Sequence, residues 1–331
     1  MSSHPYSDVG FFGFFFQLLL RLWGLLTGNI GVVDLATDEV QIIVLVCVAA
    51  SSALVGSFLV LKKMTMLANS LSHTILLGLV VAFLITQNVG THSLNINVLL
   101  IAALIMGLVT AFLTDFFCKV AKLQEDASTG IVFTSLFALG IVLVTMLTRN
   151  VHLSTEVVMG NVDALHLEDC QLVLIVLAFN IIVTTLFFKE FKITTFDPSL
   201  SKALGISVIC FNYLMMIQVS ATVVGAFRAV GVLMVLAFMT GPVLTARMLT
   251  HDLKRMILLA IAFGCSAAII GVALSRHLLT YHGLALSTAG LVVCTIALQF
   301  IFVLILNLQS GLLRKRHSIT TQEATFSLER L

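Results

Sequence analysis

The chain has 331 residues, of which 59% are hydrophobic and only 10% are charged, and its mean hydropathy is +1.11. These values lie far outside the range of water-soluble domains, so the composition excludes a soluble globular protein. The formal net charge of +2 is too small, and the basic residues are too scattered, for a nucleic-acid-binding surface. The composition therefore predicts a single domain that lies in the lipid bilayer.

Apolar runs recur along the chain, and each approaches the roughly 20 residues that a helix needs to cross the hydrocarbon core. They are continuously apolar rather than alternating, which favours helices over a barrel because a helix satisfies its own backbone hydrogen bonds. The sequence predicts an all-α, polytopic transmembrane bundle with about eight to ten spans. The runs are 10–26, 40–61, 66–86, 97–118, 128–148, 169–188, 206–225, 229–249, 256–275 and 284–308.

The first run, 10–26, contains Arg21 and Trp23. It could form a span or an interfacial helix with aromatic side chains in the headgroup region, and a span is preferred here. The predicted organisation is an N-terminal segment (1–37), a transmembrane domain (38–310) and a basic, polar cytoplasmic tail (311–331).

The basic residues predict the orientation of these spans. With both termini in the cytoplasm, ten Lys and Arg residues fall in inner connections and four in the tail, which is 14 of the 18 in the chain. This bias satisfies the positive-inside rule. The residues predicted to lie outside are Arg21, Arg149, Arg228 and Arg276. The outer connections also carry carboxylates and imidazoles, which could attract a divalent cation or could be ordinary polar loops.

Asn69 and His73 are the most informative polar residues within a predicted span. Their i, i+4 spacing places them on one face of a helix, about one turn apart. A histidine at membrane depth is a candidate functional residue, and neutral imidazole is a common transition-metal ligand. The alternative is a histidine hydrogen-bonded between helices, with Ser70 and Ser72 as polar neighbours.

Three further segments carry local signals. Asp126 or Ser128 could cap the helix that follows them. Asp197 as N-cap, Pro198 at the first helical position and Gly205 as a C-terminal stop predict a short helix in an inner loop, where it could dock a soluble motor or be a plain re-entry loop. Pro242 would free a backbone carbonyl within a span, either as a kink beside a transport path or as a harmless bend.

Missing motifs narrow the function. The chain has no Gly-x-x-x-x-Gly-Lys-Ser/Thr loop, so it cannot bind ATP in the P-loop manner, and it has no His-Glu-x-x-His or Gly-x-Ser-x-Gly pattern. These absences weaken the hypothesis of an intramembrane protease or hydrolase.

The order of these segments resembles that of bacterial manganese, zinc and iron ABC-transporter permeases. The stretch Ala68 to His73, followed by Gly78, resembles the Gly-Asp-Ala-Leu-Ser-His signature of that family. Three more segments follow in the family's order, and the resemblance runs from about residue 45 to residue 308. These segments are Glu125-Asp126-Ala127 with Gly130, Asp197-Pro198 with Ala203 and Gly205, and Pro242 with Thr245-Ala246-Arg247.

The resemblance implies a multi-pass protein of the bacterial inner membrane that works with partners. These are cytoplasmic ATP-binding subunits, a second permease subunit, either identical or homologous, and an extracytoplasmic metal-binding protein. It implies no permanently bound cofactor, only a transported divalent manganese, zinc or iron ion. It places His73, with Asn69, on the metal path and assigns the segment Asp197 to Gly205 to contact with the ATPase.

One position departs from the family signature, because Asn69 stands where the family has Asp. The amide keeps an oxygen ligand but loses the negative charge, so a second, non-identical permease is expected to supply the carboxylate. The competing class is a proton- or sodium-coupled secondary metal transporter, which would need ionisable groups buried at mid-membrane.

Overall fold

A computed structural model describes residues 10–27, 36–88, 96–147, 162, 165, 167–284 and 286–328. All regular structure in these ranges is helical, which confirms the predicted all-α fold, and each predicted apolar run falls mainly on one helix. In the described ranges, six helices are long and apolar enough to cross a membrane. The helices are α1 (Phe11–Leu26), α2 (Thr37–Leu61), α3 (Thr65–Asn88), α4 (Ile96–Val120), α5 (Glu125–Leu147), α6 (Leu167–Leu186), α7 (Phe188–Phe196), α8 (Pro198–Ala203), α9 (Val208–Val230), α10 (Val232–Leu249), α11 (Leu253–His282) and α12 (Thr288–Leu328).

Helix α2 forms the centre of the bundle. It packs against α6, α9, α10 and α11. In its most apolar stretch, 83% is buried inside the protein. Gly56 lies so close to α10 that a β-carbon there would overlap the Met239 carbonyl, and Gly264 of α11 lies against Ala49. Close contact between small residues stabilises membrane helices because lipid removes the hydrophobic drive for their association. We refer to α2, α10, α11 and α12 as the scaffold group.

A second set of helices, α3 to α5, packs around α3. A β-carbon on Gly78 would lie 2.9 Å from the Ala102 carbonyl oxygen of α4, and one on Gly140 of α5 would lie 3.4 Å from the Leu77 nitrogen. Helix α3 is therefore held on two sides. Helix α9 contacts α2, α3 and α4 and so connects this α3–α5 group to the scaffold group.

The link between α9 and α10 is a single buried residue, Gly231. Its φ of 78° and ψ of 164° belong to a region that is essentially restricted to glycine. The sequence predicted this link at 226–228, so that boundary was wrong, and Arg228 belongs to α9. The two helices are separated at Gly231, where the backbone adopts a conformation that only glycine readily takes, and not at the polar residue Arg228.

Two ion pairs join the start of α2 to its neighbours. Arg21 of α1 pairs with Glu39, and Arg276 of α11 pairs with Asp38 at 3.3 Å. Both acidic residues lie in the first turn of α2, where the helix dipole also favours negative charge. Arg21 and Arg276 are two of the four basic residues that the sequence predicted on the outer side, and carboxylates of the same chain neutralise both.

Helix α1 lies across one end of the bundle rather than alongside it. Its first residue, Phe11, stacks edge-on against His277 near the end of α11, with ring centroids 5.9 Å apart. Arg21, almost three turns later, reaches Glu39 at the start of α2. The Arg276–Asp38 pair shows that these two helix ends are neighbours. The contacts of α1 favour the interfacial alternative over the preferred span.

Candidate transport site and coupling segment

The structure places Asn69 and His73 on the less buried stripe of α3. Both side chains are partly exposed and share this stripe with Met66 and Val80. The intervening hydroxyl side chains, Ser70 and Ser72, are buried toward the rest of the subunit. The stripe is therefore directed away from the interior of this chain, toward lipid or toward another subunit.

Two of the buried hydroxyls near His73, on Ser72 and Thr74, bond to other groups, whereas Ser70 Oγ is buried without a hydrogen-bond partner among the described residues. Ser72 Oγ donates to the Ala68 carbonyl at 2.8 Å, and Thr110 Oγ1 of α4 donates to Thr74 Oγ1 at 2.9 Å. Within the described part of the chain, Asn69 and His73 make no side-chain hydrogen bond. These contacts weigh against the alternative in which His73 is a structural histidine bonded between helices, because its expected partners do not reach it.

Two phenylalanines of α5 flank the imidazole. The ring centroids of Phe133 and Phe137 lie 5.4 and 5.2 Å from that of His73, and the two phenyl rings stack on each other at 5.7 Å. The pair forms an apolar wall that fixes the ring of His73 on one side and leaves the stripe as its open side. Sequence reasoning missed both residues, although their i, i+4 spacing was visible, because nothing local shows that α5 faces α3.

The described residues do not complete a metal site. They contain no group of three His, Cys, Asp or Glu side chains placed to hold one ion. Asn69 and His73 supply one oxygen and one nitrogen ligand, which is too few for tight binding on their own. A site on this stripe would therefore need ligands from outside the described part of this subunit.

The Glu125–Gly130 segment differs from its predicted role. Helix α5 begins at Glu125, so Ser128 lies inside the first turn rather than before it. Its Oγ donates to the Thr114 carbonyl of α4 at 2.7 Å, and Asp126 is exposed. The prediction of a Ser128 or Asp126 cap is wrong in position, because the helix starts one turn earlier than the apolar pattern indicated. Ser128 instead ties α5 to α4.

The predicted short helix is present as α8. Asp197 Oδ1 accepts from the backbone N–H groups of Ser199 and Leu200 at 3.1 and 3.0 Å, and Pro198 is the first helical residue. The helix ends at Ala203, and Gly205 follows with a φ of 76°. The C-terminal hydrogen bonds run from the Gly205 N–H to Lys202 and from the Ile206 N–H to Ser201, which is a Schellman motif.

An apolar stripe on this segment is exposed. Phe196, Leu200 and Leu204, spaced four residues apart, all point away from the bundle. Just before them, Phe191 of α7 is buried between Phe58 of α2 and Phe211 of α9, with ring centroids at 5.4 and 5.5 Å. The segment therefore combines a surface suited to a protein partner with a rigid attachment to two long helices.

Pro242 lies inside α10 without ending it. It is buried, and its ring packs near Gly264 of α11, while Gly241 lies against Ile296 of α12. Its neighbours thus belong to the scaffold group, whereas His73 packs on α5. The described contact of Pro242 is therefore with α11, and its helix α10 also contacts α3.

Known proteins with similar sequences and structures extend these observations. The "ABC 3 transport family" pattern matches residues 39–307. A "probable metal transport system membrane protein" of Chlamydia muridarum is 44% identical over 300 residues, which cover 91% of this chain and 93% of that protein. The "manganese transport system membrane protein MntD" of Bacillus subtilis is 38% identical over 239 residues, which cover 68% of this chain and 79% of that protein.

A solved structure shares the helical architecture. "PsaBC from Streptococcus pneumoniae in complex with Fab" aligns with a TM-score of 0.67 and 27% identity, over 80% of this chain and 89% of that one. The family match covers most of the chain, including the Asn69–His73 stripe, α8 and Pro242. On this evidence the chain is a member of the ABC 3 transport family.

Proposed function

We propose that this chain is the permease subunit of an ATP-binding-cassette importer that moves divalent manganese, zinc or iron into the bacterial cytoplasm. The observation that carries this proposal is the Asn69–His73 stripe, which is half-buried and makes no side-chain hydrogen bond within the described residues, in a chain of the ABC 3 transport family. The B. subtilis relative, named a manganese transport system membrane protein, supports a transition metal as substrate.

His73 is the proposed metal-contacting residue, with Asn69 as a neutral oxygen ligand. Imidazole and oxygen ligands together suit manganese, iron and zinc. Phe133 and Phe137 cover one side of the imidazole, and the proposed ion approaches from the uncovered stripe. Two weak ligands favour release as well as binding, as a transport path requires.

A second permease subunit completes the proposed path. Because the stripe faces away from this subunit, a partner permease can bring its own ligands against it. Asn69 provides no negative charge, so we propose that a homologous, non-identical permease supplies a carboxylate. An extracytoplasmic metal-binding protein is proposed to deliver the ion at the outer face.

ATP hydrolysis is assigned to separate cytoplasmic subunits that bind the α7–α8 segment. The exposed stripe of Phe196, Leu200 and Leu204 supplies an apolar contact. Residues Asp197, Pro198, Ala203 and Gly205 hold α8 in shape through its caps. Because Phe191 is wedged between α2 and α9, motion of α8 is passed directly to the transmembrane helices.

Proton- or sodium-coupled transport finds less support. The buried carboxylates in the part of the chain that the structure describes are Asp38, Glu39 and Asp169. All three lie in the first turn of α2 or α6, at the end of a span rather than at its centre. A proton- or sodium-coupled carrier needs ionisable groups at depth, and apart from His73 the described spans hold few of them.

Uptake by the reconstituted complex tests the proposal. The chain, its ATPase subunits and its companion permease are placed in liposomes, and ATP-dependent uptake of manganese, zinc and iron is measured. His73→Ala should reduce uptake by roughly tenfold or more while the ATPase still copurifies. His251→Ala, an exposed histidine in an inner connection, should leave uptake unchanged.

Two outcomes would contradict parts of the proposal. ATP-independent uptake would exclude the importer, and full uptake by His73→Ala would remove His73 from the path. The companion permease is tested by leaving it out. A complex in which this chain pairs only with itself should transport poorly, and transport at the full rate would rule out the need for a second, different permease.

The α8 contact is tested by charge. Leu200→Asp places a carboxylate on the exposed apolar stripe and should release the ATPase during purification, because a buried unpaired charge is costly. Ser199→Asp adds the same charge one residue away and should retain the ATPase. Equal retention by both variants would exclude the stripe as the contact.

A further inference from the structure

The first residues of α1 and Arg21, almost three turns later, contact the same end of the bundle. A β-carbon on Gly10 would lie 3.6 Å from the Tyr281 hydroxyl, and Phe11 stacks on His277, so the start of α1 lies at the end of α11. Arg21 reaches Glu39 at the beginning of α2. These partners lie far from Lys62 and Lys254, which mark the opposite ends of α2 and α11.

The length of α1 agrees with this placement. From Phe11 to Arg21 a helix rises about 15 Å, whereas the hydrocarbon core is about 30 Å thick. A spanning α1 would put Phe11 near the start of α11, next to the basic inner connections. Its contact with His277 instead requires the helix axis to run roughly parallel to the membrane plane.

The outward face of α1 is strongly apolar. Phe12 is 87% exposed and Trp23 is 69% exposed, and Phe16, Leu19 and Leu20 accompany them. The opposite face is packed, with Phe14 and Leu18 buried in the core. The charged residue of α1, Arg21, is paired with Glu39. Water would be an unfavourable environment for this surface, since each exposed side chain of this kind costs about 1.5–3 kcal/mol relative to burial.

We propose that α1 is an in-plane anchor whose exposed face inserts into the outer leaflet, at the boundary between headgroups and acyl chains. Tryptophan and phenylalanine on one face of a non-spanning helix are typical of this location. The start of α1 at Gly10 then lies on the extracytoplasmic side of the membrane, rather than in the cytoplasm as expected from a span.

Lipid fits this surface better than a protein partner does. Among the residues of α1 whose exposure the structure describes, the exposed side chains are apolar except for Thr27 after the last turn, whereas a reversible protein interface carries a polar rim. Among its neighbouring helices α1 contacts α11 most, on the scaffold side, whereas the stripe proposed to meet a second permease lies on α3. The exposed face of α1 is therefore the outer-leaflet counterpart of the lipid-facing surfaces of the spans.

Labelling with a membrane-impermeant maleimide tests the orientation. Gly10→Cys and Thr27→Cys bracket α1, and His251→Cys in an inner connection is the control. All three are made in a background in which the exposed Cys210 and Cys294 and the partly exposed Cys118, Cys170 and Cys265 are replaced by Ser. We expect both α1 positions to react in intact cells and the control to react only after permeabilisation. Reaction of the Gly10→Cys variant only after permeabilisation would establish a span and overturn the proposal.

The depth of the helix is tested by fluorescence, because Trp23 is the chain's single tryptophan. In the double variant Phe16→Trp with Trp23→Phe, the fluorophore moves to the middle of α1. Lipids brominated near the headgroup should quench both proteins more strongly than lipids brominated near the chain ends. Strongest quenching of the double variant by chain-end bromines indicates a span, and quenching by aqueous iodide without lipid quenching indicates a partner or water. Either result rejects the anchor, and neither depends on transport.

Discussion

The scaffold group and the α3–α5 group use the same packing device but end with different surfaces. In both, glycines bring helices into backbone contact, as Gly56 does with α10 and Gly78 with α4. Within the scaffold group, α2 is almost completely buried by its neighbouring helices. Helix α3, in contrast, keeps the Asn69–His73 stripe partly exposed. The difference indicates that the first group carries stability and that the second presents a surface to something outside the subunit.

The largest effect is expected at the centre of the scaffold group. Gly56→Ala would force the backbones of α2 and α10 apart, because the new methyl group meets a carbonyl rather than a flexible side chain. We expect a loss of about 3 kcal/mol or more, seen as little folded protein by fluorescence-detected size exclusion. Gly130→Ala in α5, where nothing lies within 4 Å, is the control and should fold normally. Equal yields would show that the scaffold is not tightly packed.

A smaller effect is expected at the junction between the groups. Asn180 Nδ2 of α6 donates to Ser51 Oγ of α2 at 2.6 Å and to Thr222 Oγ1 of α9 at 2.7 Å. Asn180→Ala should lower stability by about 0.6–2 kcal/mol, as measured for polar contacts between membrane helices. Thr185→Ala, on the exposed side of α6, should leave the melting temperature unchanged. An unchanged melting temperature for Asn180→Ala would mean that this network does not hold α6 to the other two helices.

The smallest effect on stability, with a clear effect on transport, is expected in the α3–α5 group. Phe137→Leu keeps an apolar side chain but removes one ring from the wall beside His73. The metal concentration for half-maximal uptake should change by roughly fivefold, or about 1 kcal/mol, with melting nearly unaffected. Leu139→Ala, an exposed position on the same helix, is the control. A large drop in melting temperature would assign Phe137 to the scaffold instead.

Local signals in the sequence were sufficient for much of the fold. The apolar runs predicted each long helix because a helix in lipid must satisfy its own backbone within one continuous segment. The caps of α8 were equally readable, since Asp197, Pro198 and Gly205 act on neighbouring backbone groups. Ser128 shows the limit of this reasoning: its position fits a cap, but its partner lies 14 residues earlier on another helix.

The candidate site was only partly predictable. The spacing of Asn69 and His73 on one helix was visible in the sequence. The structure adds that their stripe is half-buried and that neither side chain makes a hydrogen bond within the described residues. Phe133 and Phe137 became neighbours of His73 only through the packing of α5 on α3. Hydropathy could not reveal this contact because apolar side chains occur all around both helices and do not single out the faces that meet.

The sequence by itself determined that the chain is a multi-pass helical protein, where its long helices lie, and which connections carry positive charge. These properties depend on hydropathy and on interactions within a few residues. Only the tertiary structure decided that α1 lies across the bundle and that Arg21 and Arg276 are neutralised by Glu39 and Asp38. It alone also decided which stripe of α3 stays uncovered, because each of these depends on contacts between segments that are distant in the chain.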